Sequence, residues 1–222
     1  MQTNRLFASG LLFLVAGCAP IPPMALFETT DVVSKHQVAL TAAGGVGGTR
    51  EQMNWGGTAR ARLGVGAHQE IGIEGSYLSN GDRDPSYGGK LSWKVAHNDS
   101  VALVLGGGAS FQGDRTSVLG DVAFLVSPEV FPSRYVRFYT GFRFGLAVPT
   151  RGVYEDSGIT GTLVLPMGFN FKLGRSVHLF AEGGLINRWS EVDAHVPDSD
   201  ILVIRRGTTG YGGMGLSITF GK

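Results

Sequence analysis

Residues 135–173 read YVRFYTGFRFGLAVPTRGVYEDSGITGTLVLPMGFNFKL, and large apolar residues alternate there with small or polar ones in two successive runs. A repeat of two residues indicates β-strands whose two faces meet different surroundings. Both runs exceed the roughly 9–11 residues that a tilted strand needs to cross a bilayer. The stretch therefore predicts a hairpin of two membrane-spanning strands.

The two faces of this predicted hairpin differ in charge. One face carries the large apolar residues, whereas Arg137, Arg143 and Lys172 lie among glycines on the other. A Lys or Arg exposed to lipid at the bilayer midplane costs about 2–4 kcal/mol. We therefore expect the apolar face to contact lipid and the basic, glycine-rich face to line a narrow barrel.

The same alternation recurs from His36 to the end of the chain. It predicts strands at 36–47, 56–67, 69–79, 86–96, 100–111, 116–127, 134–148, 158–173, 176–188 and 207–220. The predicted fold is all-β: a closed, antiparallel, up-and-down transmembrane β-barrel of about ten strands, with eight or twelve also compatible with the pattern. Short connectors alternate with longer polar ones, of which 189–206 is the longest, as in barrels with short periplasmic turns and longer outer loops. An even strand number then places both termini in the periplasm.

Composition agrees with a single barrel domain. The chain has 222 residues, 35 of them glycine, and a formal net charge of +1. This glycine content is about twice the average share, and the balanced charge gives no support for nucleic-acid binding. A soluble periplasmic barrel or sandwich with its apolar face inward is the alternative architecture. The glycines argue against it, because glycine on a water-exposed strand face destabilises without packing against anything.

Residues 1–18 read MQTNRLFASGLLFLVAGC. Arg5 precedes an apolar core of signal-peptide length, and the ending Val-Ala-Gly-Cys resembles the lipobox of bacterial lipoproteins. The resemblance implies cleavage before Cys18, a diacylglycerol on its thiol and, with Ala19 next, sorting to the outer membrane. An ordinary secretory signal cut near Ala19 is the alternative. We expect a signal peptide at 1–17, a lipidated tether at 18–35 and the barrel at 36–222.

The predicted inward positions carry charges of both signs. They form a lumen charge network of Arg60, Arg62, Glu70, Glu74, Lys90, Lys94, Asp121, Arg137, Arg143, Lys172 and Glu182. Because small barrels are filled by side chains and buried charges need partners, one interpretation is a salt-bridged plug, with Arg60–Glu74 and Lys90–Glu74 on neighbouring strands. The excess of cations leaves a path for anions as the other interpretation.

The chain after about residue 36 resembles the small outer-membrane barrels of the OmpA and OmpX type. Its last strand, which ends YGGMGLSITF at Phe220, resembles the C-terminal assembly signal of that family, although Gly221 and Lys222 follow. The resemblance implies the barrel fold and a bacterial outer-membrane location, with membrane lipid as one partner.

Chemistry-bearing motifs are sparse. The predicted final loop carries Glu191, Asp193, His195, Asp198 and Asp200, but their spacing matches no ligand pattern and predicts a solvated acidic loop. The neighbourhood of His195 does not match the omptin proteases, and the His-x-Ser element of lipid A deacylases is absent. We expect no metal, no cofactor and no catalysis.

The expected function is therefore structural. We predict an envelope component that binds protein partners through its outer loops or its tether, within a multi-protein complex. A narrow pore for small polar or anionic solutes is the first alternative, and an outer-membrane enzyme is the second.

Overall fold

The computed structural model describes residues 27–48, 53–80, 83–130, 133–151, 158–196 and 199–221. Ten antiparallel strands form one closed sheet in which each strand pairs with its neighbours in sequence and β1 pairs with β10. The strands are β1 (Val38–Gly48), β2 (Met53–Gly66), β3 (Gln69–Asn80), β4 (Arg83–Asn98), β5 (Val101–Gln112), β6 (Arg115–Val126), β7 (Val136–Arg151), β8 (Thr160–Lys172), β9 (Val177–Val196) and β10 (Ser199–Phe220). The predicted up-and-down barrel and its ten strands are confirmed.

Large apolar side chains cover the outside of the barrel. Ile73, Leu91 and Met167 are 60%, 66% and 59% exposed, and they belong to a set of such residues spread over all ten strands. A continuous apolar surface of this kind marks an interaction with a membrane or another protein, and a closed barrel is one of the two structures that can cross a bilayer. The soluble alternative, which required the apolar face to point inward, is wrong.

Aromatic side chains lie toward both ends of this apolar exterior. At one end, the Tyr77 ring lies 5.0 Å from the Trp55 ring and 5.4 Å from the Tyr87 ring, measured between centroids. Toward the other end, Trp93 and Phe220 are exposed. Two aromatic girdles that flank an apolar band are typical of transmembrane barrels. Among the described residues, no helix is long and apolar enough to span a membrane.

The two ends of the barrel differ in their connections. One end of the barrel holds the start of β1, the end of β10 and the connectors 67–68, 99–100, 127–135 and 173–176, and we call it the termini end. We call the opposite end the hairpin end. The predicted contrast between short turns and long outer loops is wrong, because the longer connectors predicted at 80–85, 112–115 and 189–206 shrink to 81–82, 113–114 and 197–198. The strands that flank these connectors therefore run further toward the hairpin end than the sequence predicted.

The residues predicted to form a solvated final loop lie mostly in strands. Glu191, Asp193 and His195 belong to β9 and Asp200 belongs to β10, whereas Asp198 lies outside the described residues. In the described part of the chain, no group of three or more His, Cys, Asp or Glu side chains is arranged to hold a metal ion.

Residues 27–37, the N-terminal segment, lie inside the termini end of the barrel. The sequence predicted a tether for most of this stretch, but Phe27, Glu28, Thr29, Thr30 and Val33 are buried. Lys35 forms a parallel bridge with Gly64 of β2, and the His36 N–H donates to the Gly64 carbonyl over 2.9 Å. The predicted signal peptide and Cys18 lie outside the described residues.

A charge on the exterior should destabilise the barrel according to its depth. Leu91, between Tyr87 and Trp93 on β4, faces outward, so Leu91→Arg should cost about 2–4 kcal/mol in lipid. Met53, also exposed, begins β2 at the hairpin end, where the same change should cost about 0–1 kcal/mol. Urea unfolding in phospholipid vesicles measures both variants, and equal costs would contradict a bilayer around the apolar band.

Candidate functional site: the barrel lumen

The structure places most of the predicted lumen charges inside the barrel. The side chains of Arg60, Arg62, Glu70, Glu74, Lys90, Lys94, Asp121, Arg143 and Glu182 are at most a tenth exposed. Arg137 is 38% exposed at the termini end, and Lys172 is exposed there as well. The period-two alternation of each strand turns these residues inward while their apolar neighbours face outward.

Arg60 is the centre of a first ion-pair cluster. It stands opposite Glu74 in the β2–β3 register, and its Nε donates to Glu74 Oε2 over 2.7 Å. Its Nη1 donates to Glu28 Oε2, also over 2.7 Å. Lys94 Nζ lies 3.5 Å from Glu28 Oε1 and 3.5 Å from Glu70 Oε1. Two strand acids and one acid of the N-terminal segment therefore neutralise these cations.

Asp121 of β6 is the centre of a second cluster. Arg143 Nη2 donates to its Oδ2 over 2.5 Å, and Lys90 Nζ lies 3.3 Å from the same oxygen. Lys90 stands opposite Glu74 in the β3–β4 register, as the sequence suggested, yet its salt bridge is to Asp121. The Asp121 carboxylate occupies the space beside Gly106. Any side chain at position 106 would place its Cβ 2.6 Å from Asp121 Oδ1, which is too close.

Glu182 of β9 accepts three hydrogen bonds in the lumen. The Tyr139 and Tyr211 hydroxyls donate to its two oxygens over 2.9 and 2.8 Å, and the Phe27 N–H donates over 2.7 Å. Phe27 also packs against Tyr139 and Phe180. The Tyr139 ring reaches Glu182 because it lies over Gly168. A side chain at position 168 would place its Cβ 2.4 Å from the Tyr139 ring. Glu182 thus fixes the beginning of the N-terminal segment.

Polar contacts with several strands hold the rest of the N-terminal segment. Asp31 forms an ion pair with Arg137, and its carbonyl accepts a hydrogen bond of 2.6 Å from Lys94 Nζ. The Val33 N–H donates to Glu70 Oε2 over 2.7 Å. Each of these wall residues was predicted as part of the lumen network, but its partner in the segment was not.

The ionisation of Glu28 reflects its place among these cations. Arg60 and Lys94 lie beside its carboxylate, and opposite charges at this distance favour the charged form of a buried acid.

Apolar contacts complete the fit of the segment. Val32 packs against an inward cluster of small and aliphatic residues on β4, β5 and β6, namely Ala96, Ala102, Val104, Ala123 and Leu125. On the other side, the segment crosses directly over Gly64, where a Cβ would lie 2.1 Å from the Ser34 carbonyl oxygen and 2.3 Å from that of Val33. Glycine at this inward position is therefore what lets the segment approach the wall.

Sequence reasoning missed Glu28, Asp31, Tyr139 and Tyr211. The predicted lumen set held seven cations and only four acids, which indicates that further acids are needed inside the barrel. Glu28 and Asp31 are the acids of the predicted tether, so this imbalance could have pointed to them. The two tyrosines alternate in phase with inward residues, but they looked like ordinary aromatic strand residues.

No protein-family model matches the sequence, and no curated protein matches it. Solved barrels resemble its fold at low scores. The KdgM porin has 9% identity and a TM-score of 0.39, with 83% of this chain and 99% of that one covered. The translocator domain of autotransporter NalP from Neisseria meningitidis has 13% identity and a TM-score of 0.37, with 83% and 88% covered. The N-terminal β-barrel domain of Pseudomonas aeruginosa OprF has 10% identity and a TM-score of 0.34, with 84% and 98% covered. The fold assignment rests on strand pairing and burial.

Proposed function

We propose that this chain is a bacterial outer-membrane barrel closed by its own N-terminal segment, and that it serves as a structural or interaction component of the cell envelope. The observation that carries the proposal is the ion-paired lumen in which Glu28 and Asp31 pair with cations of the wall. Both termini would face the periplasm, and the hairpin end would face outward.

The buried cations of the lumen have acidic partners once the segment is in place. Its described residues include the cations Arg60, Arg62, Lys90, Lys94, Arg137 and Arg143, and the acids Glu28, Asp31, Glu70, Glu74, Asp121 and Glu182. Removing one partner of a buried pair leaves an uncompensated charge and costs several kcal/mol. An ion that crosses the lumen would have to break such pairs, which favours a closed barrel over an open pore.

The hairpin end offers a surface for partners. At that end β8 begins at Thr160, which pairs with Ser190, and β1 ends at Gly48, which pairs with Gly210. Residues 191–196 of β9 therefore lie beyond the start of β8, and residues 199–209 of β10 lie beyond the end of β1; within this part, 191–196 pair with 199–204. A projecting hairpin on a closed barrel suits a scaffold that binds another envelope protein.

A lipid anchor on Cys18 is compatible with this arrangement. Eight residues lie between Cys18 and Phe27, and an extended chain from one to the other reaches about 30 Å at most. We propose that this length lets a lipidated Cys18 reach the leaflet next to the termini end. The lipid would hold the protein in the same membrane that the barrel spans.

The full-length protein should show no steady current in a planar bilayer, because the paired segment blocks the lumen. Gly64→Leu should produce a current, since the new side chain would collide with the Val33 and Ser34 carbonyls and displace the segment. Gly75→Leu is the matched control, because a Cβ at Gly75 meets no atom within 4 Å. A large steady current through the unaltered protein would refute the closed barrel.

The ion pairs of the segment should contribute to stability. Glu28→Gln removes one charged partner from Arg60 and Lys94, which retain Glu74 and Glu70, so we expect a loss of about 1–3 kcal/mol in the free energy of unfolding. Urea unfolding in detergent measures it. Glu129→Gln, the same change at an exposed connector residue, should stay within about 0.5 kcal/mol of the unaltered protein. Equal effects of both variants would mean that Glu28 does not stabilise the closed lumen.

A gated pore for anions is the second candidate, and the charge of the bare wall favours it. Without Glu28 and Asp31, the wall retains six of these cations against four acids. A narrow passage of that charge selects anions. The current through Gly64→Leu in a KCl gradient should therefore give a reversal potential of the sign for chloride, and a cation-selective current would contradict this candidate.

A further inference from the structure

A cavity of about 460 Å³ lies at the termini end between the N-terminal segment and the barrel wall. Residues 29–34 of the segment form one side, and residues of β2, β7, β8 and β9 with their connectors form the other. Small-molecule sites usually occupy about 300–1,000 Å³, so the cavity has room for a ligand. The strands separate it from the surrounding lipid, and its exposed rim residues give access from water.

Basic side chains outnumber acidic ones in the lining of this cavity. The cations are Arg62, Arg134, Arg137, Lys172 and Arg175. The acids are Asp31 and Asp99, and Asp31 already forms an ion pair with Arg137. Within the part of the chain that the structure describes, Arg134, Lys172 and Arg175 have no acid within salt-bridge distance. The lining therefore carries a net positive charge and favours an anion.

Arg62 adds a buried and unsatisfied donor. Its side chain is 10% exposed, with Nη1 3.4 Å from Glu70 Oε1 and Nη2 donating to Ser217 Oγ over 3.2 Å. Its Nε is buried and has no hydrogen-bond partner among the described atoms. A buried donor left without an acceptor costs about 1–3 kcal/mol. Because Arg62 also lines the cavity, an anion seated there would lie beside its guanidinium charge.

We propose that this cavity binds a soluble phosphate-bearing molecule from the compartment at the termini end. Guanidinium groups bind phosphate and carboxylate oxygens through paired N–H donors. Here Arg62 approaches from β2, whereas the other cations approach from the paired ends of β7 and β8 and their connectors, four to five strands away from β2 in the closed sheet. A tetrahedral phosphate presents oxygens in several directions and matches this arrangement better than a planar carboxylate. The site requires the N-terminal segment in place, but it does not require that the segment block every ion.

Calorimetric titration of the full-length protein in detergent with inorganic phosphate at pH 8 tests the site. Arg62→Gln should weaken phosphate binding at least tenfold, and Arg175→Gln, at an exposed position that leaves the buried network intact, should weaken it severalfold. Arg115→Gln is the matched control, because Arg115 begins β6 at the hairpin end and loses the same charge far from the cavity. Its affinity for phosphate should be unchanged.

Three results would overturn the proposal. The unaltered protein could give no saturable heat with phosphate, or Arg115→Gln could weaken binding as much as Arg62→Gln does. Succinate, a dianion of the carboxylate class at this pH, could bind as tightly as phosphate, which would remove the preference for phosphate. A barrel that conducts current but binds phosphate with this pattern supports the site while it refutes the closed lumen.

Discussion

Arginine and lysine side chains buried inside a narrow barrel need negative partners, because burial removes most of the water that would solvate them. Arg60 shows this constraint most directly. It lies between Glu74 on the neighbouring strand and Glu28 on the N-terminal segment, so one guanidinium joins the wall of the barrel to this segment. Breaking a buried pair of this kind is costly, and the position of the segment follows from that cost.

Space is the second constraint, and glycine provides it. Gly64 lets the backbone of the segment cross the inner wall, Gly168 makes room for the Tyr139 ring, and Gly106 makes room for the Asp121 carboxylate. Each is an inward position where a Cβ would collide with a group that the lumen needs. The high glycine content of the chain therefore has a local reason at these sites, since it fits large charged and aromatic side chains into a small cross-section.

The apolar exterior and the charged interior set different limits on strand length. Within the bilayer, each strand alternates because one face meets lipid and the other meets the lumen. Beyond the bilayer this requirement ends, and β9 and β10 continue past their outer neighbours, to Val196 and from Ser199. The barrel thus gains a projecting hairpin at one end, while its other end holds the segment and the basic cavity.

The sequence by itself determined the ten-stranded barrel, its apolar exterior and the inward position of residues such as Arg60, Glu74 and Arg143. Period-two alternation is a local property of the chain, and one face of it must meet lipid while the other does not. The tertiary structure alone decided that residues 27–37 enter the lumen and that Glu28 and Asp31 complete its charges. It also decided that Lys90 pairs with Asp121 of β6 rather than with Glu74 of the adjacent strand. These contacts join residues far apart in sequence across the lumen, and no local pattern encodes which inward side chains meet once the sheet has closed.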